Sequence, residues 1–393
     1  MGPFETGLWV DGREFEVTFP SMLYVWNVAG AARGGEKESP RAISDAHTML
    51  TLAASVFASI RSPPTIVSGL ASIASRYDAI FLDQFGVMHD GQRPLPGAVE
   101  CYSALAALDK ALVVLSNTSR RRGFAIKKIP KLGFDETSLT GFITSGEAAW
   151  DHMAECHRGQ KMLWLSWADD FQAWDPTYLD GLEVTLADAE TADFVLLQGS
   201  NCIRTGSDGP PASSGIFATG EPSAELIANL RTCAARGLKL VVANPDFTVT
   251  LPDGTRGYMP GCIAQLYEDI LESMPPTTPC TPAGSLVYFG KPYPSAFEAA
   301  LQLLGPGVDP SRVLHVGDSL LHDVAGANAA GIHSLFVAGG IHADELGVAE
   351  TGACAVQPAA ESDGTGPLTA EALERLFAKT GVTPTMTVEA FVW

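Results

Sequence analysis

Tyr77-Asp78-Ala79-Ile80-Phe81-Leu82-Asp83-Gln84-Phe85-Gly86 is a short apolar run that stops at a carboxylate and then at a glycine. Consecutive apolar side chains bounded by polar residues describe a strand buried on both faces, and such strands belong to parallel sheets covered by helices. Gly97 then opens a helical pattern with Val99, Tyr102, Leu105 and Leu108 on one side, and Ala111-Leu-Val-Val-Leu-Ser116 supplies the next buried run. Ser285–Phe289, Arg312–Val316 and Ile332–Val337 are further strand-like runs. A helix with Pro294 at its start and Phe297, Ala300, Leu301 and Leu304 at helical spacing separates the first two. Strand alternating with helix predicts an α/β fold built on a parallel sheet.

Between Ser145 and about Gly284 runs a second α/β series: Lys161–Leu165, Phe194–Gln198, a helix from Ser223 to Arg236, and Leu238–Ala243. It is long enough for its own core, and its insertion between parts of the first sheet marks it as a cap rather than a tandem domain. The expected division is a core from 77–144 and 285–393, a cap over 145–284 and an N-terminal extension over 1–76. Near the C-terminus Thr369 is placed to cap a helix with Leu373, Leu376 and Phe377 on one face and Gly381 beyond its end. Residues 41–76 hold one acid, Asp45, among many Ser and Ala, which is the composition of an organelle transit peptide. A surface helix or a partly disordered arm fits equally, because the stretch does not begin the chain and the first forty residues are rich in acids. The cytoplasm is the favoured location, with a mitochondrion or plastid as the alternative if 41–76 is a targeting segment.

The 393 residues are 46% hydrophobic with 39 Gly and 26 Pro, enough for two cores and many tight connections. The 45 acidic residues against 25 basic ones give a net charge of −20, which repels nucleic acid and anionic membrane surfaces. A small phosphorylated substrate remains compatible, since a metal ion and a few fixed donors invert the field inside one cleft. The seven cysteines include no C-x-x-C pair and are read as reduced thiols, with Cys233 in a helical core pattern. The apolar run Met49–Ile60 falls short of the roughly 20 residues that span a bilayer, so no membrane insertion is expected. Self-association into a homo-oligomer is left open.

In a parallel sheet the C-terminal ends of the strands meet at the ligand crevice. Here those ends carry Asp83, Ser116 with Asn117, Lys291, and Asp318 with Asp323. Each alone has a plain alternative as a turn former, a helix cap or a solvated charge. Together, as Asp83-Gln-Phe-Gly-Val, Ser116-Asn-Thr, Gly290-Lys-Pro-Tyr-Pro and Gly317-Asp-Ser-Leu-Leu-His-Asp323, they resemble the haloacid dehalogenase superfamily. The cap position, Ala243-Asn-Pro-Asp246 and Tyr258-Met-Pro-Gly-Cys262 resemble its NagD-like, C2-capped subfamily IIA. The resemblance covers Tyr77 onward and implies a Rossmann-like core with an inserted C2-type cap. It also implies a Mg²⁺-dependent phosphatase of a small phosphorylated metabolite.

The residues themselves suit that chemistry. Asp83 is the candidate nucleophile that forms an aspartyl phosphate. Asp83, the backbone carbonyl of Phe85, Asp318 and Asp323 form an oxygen-rich site for Mg²⁺. Ser116 is placed to donate to a phosphoryl oxygen and Lys291 to supply a point charge. Asn117, and Asn244 with Asp246 in the cap's Asn-Pro-Asp turn, are candidates for contacting substrate, the latter two with loop shaping as the alternative. Trp164, Trp167 and Trp174 either line a pocket or pack the cap.

One position departs from the family. Its phosphatases carry a second aspartate two residues after the nucleophile, which protonates the leaving group; here that residue is Phe85. Losing such an acid typically costs about 10²–10⁴ in rate. Phosphoryl donors with good leaving groups suffer least. His89 and Asp90 are nearby replacements, with turn chemistry at Asp90-Gly91 the favoured reading. Two alternatives follow from Phe85: a weak or silent member that binds a phosphorylated metabolite or a protein, and a metal-independent dehalogenase, since an aromatic residue occupies this position in that branch.

Overall fold

The computed structural model describes residues 6–10, 13–17, 64–206, 209–251, 255–275, 284–348 and 367–393. The chain divides into two units, 1–62 and 63–393. In the first, β1 (Thr6–Val10) pairs antiparallel with β2 (Arg13–Val17), Thr6 opposite Val17.

The second unit begins its sheet with β3 (Ala79–Leu82), β4 (Ala111–Ser116) and β5 (Leu139–Thr144). The chain then builds another sheet from β6 (Lys161–Ser166), β7 (Thr185–Leu186), β8 (Phe194–Leu197), β9 (Cys202–Arg204), β10 (Ala212–Ser213) and β11 (Lys239–Val242). A hairpin, β12 (Thr248–Thr250) with β13 (Arg256–Tyr258), precedes β14 (Leu286–Tyr288). It returns to the first sheet with β15 (Val313–Gly317), β16 (His333–Val337) and β17 (Met386–Val388).

The first sheet has the order β17-β16-β15-β3-β4-β5 and every pair is parallel. The alternation of a strand's side chains explains the unbroken apolar run in β3. Ile80 and Leu82 enter a core shared with Leu112, Val114, Leu314 and the helix residues Cys101, Tyr102 and Leu105. Ala79 and Phe81 enter the opposite core with Val113, Leu115 and the helix residues Phe297 and Ala300. Helices Ala98–Ala106 and Pro294–Leu303 therefore cover opposite faces, as a parallel sheet requires.

The second sheet has the order β10-β9-β6-β8-β11-β14, with β7 beside β6; among the described strands only β9 is reversed, running antiparallel to its neighbours β6 and β10. One face packs on helices Ala224–Arg236 and Pro260–Ser273 through Leu226, Leu230, Ile263 and Tyr267. The other packs Trp164, Phe194 and Val241 against Ala149 and Met153 of helix Ser145–Cys156.

Two expected boundaries move. Leu286–Tyr288, assigned from sequence to the returning core segment, pairs with β11 of the second sheet, Leu240 opposite Leu286. An apolar run specifies a buried strand but not which sheet receives it. Residues 64–76, assigned to the N-terminal extension, belong to the folded unit: Leu70, Ile73 and Ala74 are buried in the core beside Tyr77, and the Val67 amide donates to the Thr387 carbonyl at 2.8 Å. The run Met49–Ile60 and the rest of 18–62 lie outside the described residues, as do Cys280 and Cys354. The described cysteines are free thiols, with Cys101 and Cys233 buried. No helix among the described residues is long and apolar enough to cross a membrane.

The C-terminal helix runs Ala370–Thr380. The Thr369 side chain accepts from the Ala372 amide and Gly381 ends the helix in the left-handed region. Leu108, read from periodicity as part of a buried helical face, lies past the helix end and is 46% exposed. Leu314→Ala, in the fully buried centre of the first sheet, should lower the unfolding free energy by about 2–5 kcal/mol, read from the urea midpoint. Leu108→Ala should change it by about 0.5 kcal/mol or less.

Candidate active site

Leu82 of β3 lies opposite Val316 of β15 on one side and Val114 of β4 on the other. That register sets Asp83, the Gly317-Asp318 strand end and Ser116 next to one another. Ser319 caps a single helical turn, Leu320–Val324, whose curl returns Asp323 to the same spot. Oxygens of Asp83, Asp318 and Asp323 lie within 4.8 Å of one another. Lys291 enters from the loop after β14, its Nζ 2.6 Å from Asp83 Oδ1 and 2.7 Å from Asp323 Oδ1. The Lys291 side chain is only 2% exposed.

Asp323 is fully engaged. Its Oδ1 also meets His315 Nε2 at 2.8 Å, and its Oδ2 accepts from the Ser319 amide at 3.0 Å. Burial would raise its pKa, but Lys291 and His315 outweigh burial and hold it well below the usual carboxylate range. Burial likewise opposes charge on Lys291, and Asp323 and Asp83 overcome it and hold the ammonium above its ordinary value. Asp83 retains a net upward shift, to about 7, because burial and the Asp323 charge exceed what Lys291 offsets. Asp318 is raised well above the ordinary value by burial, by Asp83 and by Asp323, with one amide, Ile341, donating to its Oδ2 at 2.9 Å.

One ammonium thus serves three buried carboxylates, and the uncompensated charge rests on Asp83 and Asp318. A divalent cation with oxygen ligands fits that deficit. The Phe85 carbonyl accepts no hydrogen bond among the described residues and adds a neutral oxygen beside them. The approach is possible only because of glycine. Gly86 has φ +74° and a side chain there would overlap the Asp318 carboxylate, while a Cβ on Gly317 would overlap Asp323.

The cluster lies in a cavity of about 170 Å³ lined on the core side by Gln84, Phe85, Ser116 and Asn117 and on the second-sheet side by Trp167, Asn244, Asp246 and Met259. Ser116 is 3% exposed, and among the described residues its Oγ accepts only from the Thr118 amide, at 3.2 Å. Its proton is left for a ligand.

Asn117 lines the cavity but its amide is committed. Its Nδ2 donates to the Lys291 carbonyl and to Asp246 Oδ1, and its Oδ1 accepts from the Lys291 amide. It positions the lysine and ties down the Asn-Pro-Asp turn, in which Asn244 Oδ1 accepts from the Asp246 amide at 2.8 Å. Asn244 and Asp246 therefore both shape the loop and line the cavity.

His89 reaches the cavity wall, but as a locked neutral ring. Its Nδ1 accepts from the Gly91 amide, which assigns the proton to Nε2, facing Gln84 Oε1, and the Phe85 ring packs edge-on against it. Burial, with Lys128 nearby, pushes its pKa down to about 3. Asp90 is turn chemistry, Oδ1 accepting from the Gln92 and Arg93 amides. Trp164 and Trp174 pack on each other, whereas Trp167 both lines the cavity and donates to Ser119 Oγ.

Sequence reading passed over Arg120, Lys128, Phe171 and His322, all of which line the cavity. The runs Arg120-Arg121-Arg122 and Lys127-Lys128, in a chain with only 25 basic residues, were the available signal.

A family model described as haloacid dehalogenase-like hydrolase matches residues 80–173, and a second, HAD hydrolase-like, matches 288–358. Together they bracket both halves of the first sheet and all four motifs. The chain is a haloacid dehalogenase-like hydrolase. Its inserted second sheet forms the cap over the core. The hydrolase is 28% identical over 275 residues to D-glycerol 3-phosphate phosphatase of Mycobacterium tuberculosis, spanning 70% of this chain and 66% of that protein. It is 25% identical over 280 residues to human chronophin, spanning 70% of this chain and 85% of chronophin. A crystal structure of a haloacid dehalogenase-like hydrolase from Brucella suis aligns with a TM-score of 0.58 at 25% identity, over 83% of this chain and all of that one.

The His89 environment yields a pH signature for the hydrolase. A depressed folded pKa means that its contribution is fully present above the unfolded value near 6.5 and is lost as pH falls toward about 3. Histidine ring NMR at pH 5 should show His89 neutral. His89→Gln should flatten the decline of unfolding free energy measured between pH 6.5 and 4.

Proposed function

We propose that this hydrolase cleaves phosphoric monoesters of a small metabolite through an aspartyl-phosphate intermediate on Asp83, with Mg²⁺ as its cofactor. The observation that carries the reading is the buried chain Asp83–Lys291–Asp323 with Asp318 beside it, at the floor of a cavity roofed by the second sheet. The similarity to D-glycerol 3-phosphate phosphatase of Mycobacterium tuberculosis supports it. Asp83, Asp318 and the Phe85 carbonyl would hold the metal, and Asp323 would hold it or its water. When bound, Mg²⁺ supplies the positive charge that lets an anionic nucleophile meet a phosphate dianion.

Asp83 forms a bond to phosphorus as the bond from phosphorus to the ester oxygen breaks. The Ser116 hydroxyl and the Lys291 ammonium hold the phosphoryl oxygens, where charge accumulates. Water then attacks phosphorus, inorganic phosphate leaves and the Asp83 carboxylate is restored. The cap, which we assign to the segment from 145 to about 289, excludes bulk water and selects the leaving group.

Phe85 has no proton to give the departing oxygen, the neutral His89 ring is held between the Gly91 amide and Gln84, and Asp90 Oδ1 is taken up by the amides of its own turn. Leaving groups stable as anions are therefore favoured: aryl phosphates should exceed alkyl phosphates in kcat/KM. Asp83→Asn should abolish phosphate release, and chelation of divalent metal should stop turnover until Mg²⁺ is restored. Phe85→Asp should raise kcat/KM on alkyl phosphates, by up to about 10²–10⁴. Wild-type turnover by Asp83→Asn in metal-replete assays would sink the mechanism. Tight calorimetric binding of phosphorylated metabolites with no phosphate released across a broad panel would instead favour a silent binding role, for which Phe85 is the supporting observation. Metal-independent dehalogenation gives the buried Asp318 carboxylate no task.

A further inference from the structure

The cavity that holds the carboxylates also holds two cations that no step above uses. Arg120 lines it at 9% exposure, and its Nε is sealed from solvent with no partner. The Arg120 side chain joins no ion pair and donates no hydrogen bond among the described residues, whereas its neighbour Arg121 makes a two-pronged pair with Glu147 at 2.9 Å. Lys128 lines the same cavity with Nζ 5.8 Å from the centre of the Phe85 ring.

The carboxylates that act on this pair from a distance are Asp175 on Arg120 and Asp90 on Lys128. Neither forms an ion pair with them. Asp175 Oδ1 accepts from the Thr177 amide and hydroxyl, and Asp90 Oδ1 accepts from two amides of its own turn. Burial and the Arg120 charge push Lys128 down to about 8. Two like charges sharing a partly dry wall are unfavourable until an anion joins them.

We propose that Arg120 and Lys128 form a second anion site in the catalytic cavity, so that preferred substrates are phosphomonoesters whose leaving group carries a further carboxylate or phosphate. This deepens the phosphatase reading and rests on it for the catalytic arm of the test. A guanidinium matches either anion bidentately, and the ammonium adds a point charge. Phe85 and Ala125, also in the wall, give the connecting carbons an apolar surface. Anchoring the far end of the leaving group helps align phosphorus with Asp83, which matters most in an enzyme without an acid at position 85.

The test is a matched three-carbon series assayed with Mg²⁺: 3-hydroxypropyl phosphate, 2-carboxyethyl phosphate and propane-1,3-diyl bisphosphate, with 4-nitrophenyl phosphate as the check on phosphatase activity. The wild-type protein should prefer one or both doubly anionic compounds over the hydroxypropyl ester in kcat/KM by about tenfold or more. Arg120→Met should remove most of that ratio, Lys128→Met part of it, and Arg120→Lys should retain part, with circular dichroism confirming that each variant folds. Equal wild-type treatment of the three, or a uniform fall on all three in Arg120→Met, would overturn the second site. Failure to hydrolyse 4-nitrophenyl phosphate or any member of the series would count against the phosphatase reading alone. Calorimetry of 2-carboxyethyl phosphate against 3-hydroxypropyl phosphate, on wild type and Arg120→Met, then decides the site: a carboxylate preference lost in the variant supports it, and equal affinities overturn it.

Discussion

One buried ammonium holding two carboxylates, with a third beside them, is the constraint around which this protein is arranged. An unpaired charge in such a place would be neutralised or would unfold its surroundings. Lys291 prevents that for Asp323 and only partly for Asp83, and Asp318 makes no ion pair among the described residues and feels Lys291 only at a distance. The remaining deficit is what a bound divalent cation would offset. The backbone had to make room for this packing, which is why Gly86 and Gly317 stand where any Cβ would strike a carboxylate.

The second sheet is coupled to this centre by few but specific bonds. Asn117 grips the Lys291 backbone with both its Oδ1 and its Nδ2, and the Nδ2 also donates to Asp246, so the group that places the lysine also registers the cap loop. Trp167 adds a bond to Ser119, and His322 approaches Asp246 at 3.6 Å. The cap loop and the ammonium therefore share one positioning side chain. The Phe85 ring packs edge-on against His89 and lies 5.8 Å from Lys128 Nζ.

Much of the site was legible because strand-end residues in a parallel sheet converge whatever their separation in sequence. Asp83, Ser116, Lys291, Asp318 and Asp323 meet as their motifs required. Less legible were the uses of polar groups with several possible partners. Asn117 reads as a ligand for substrate until its three hydrogen bonds are seen, and His89 reads as a spare acid until the Gly91 amide is found on its Nδ1. Arg120 and Arg121 are adjacent and chemically identical, yet Arg121 is paired with Glu147 while Arg120 lines the cavity with no ion pair among the described residues.

The amino-acid pattern by itself determined the α/β class, the burial of β3 on both faces, the capped C-terminal helix and the identity of the chemical groups. These follow from periodicity and from local rules of strands, caps and turns, which act over a few residues. Tertiary structure alone decided that Leu286–Tyr288 joins the second sheet, that residues 64–76 belong to the core and that two cations share a wall with the carboxylates. Each depends on a partner distant in sequence, and an apolar or charged side chain carries no record of which distant surface will receive it.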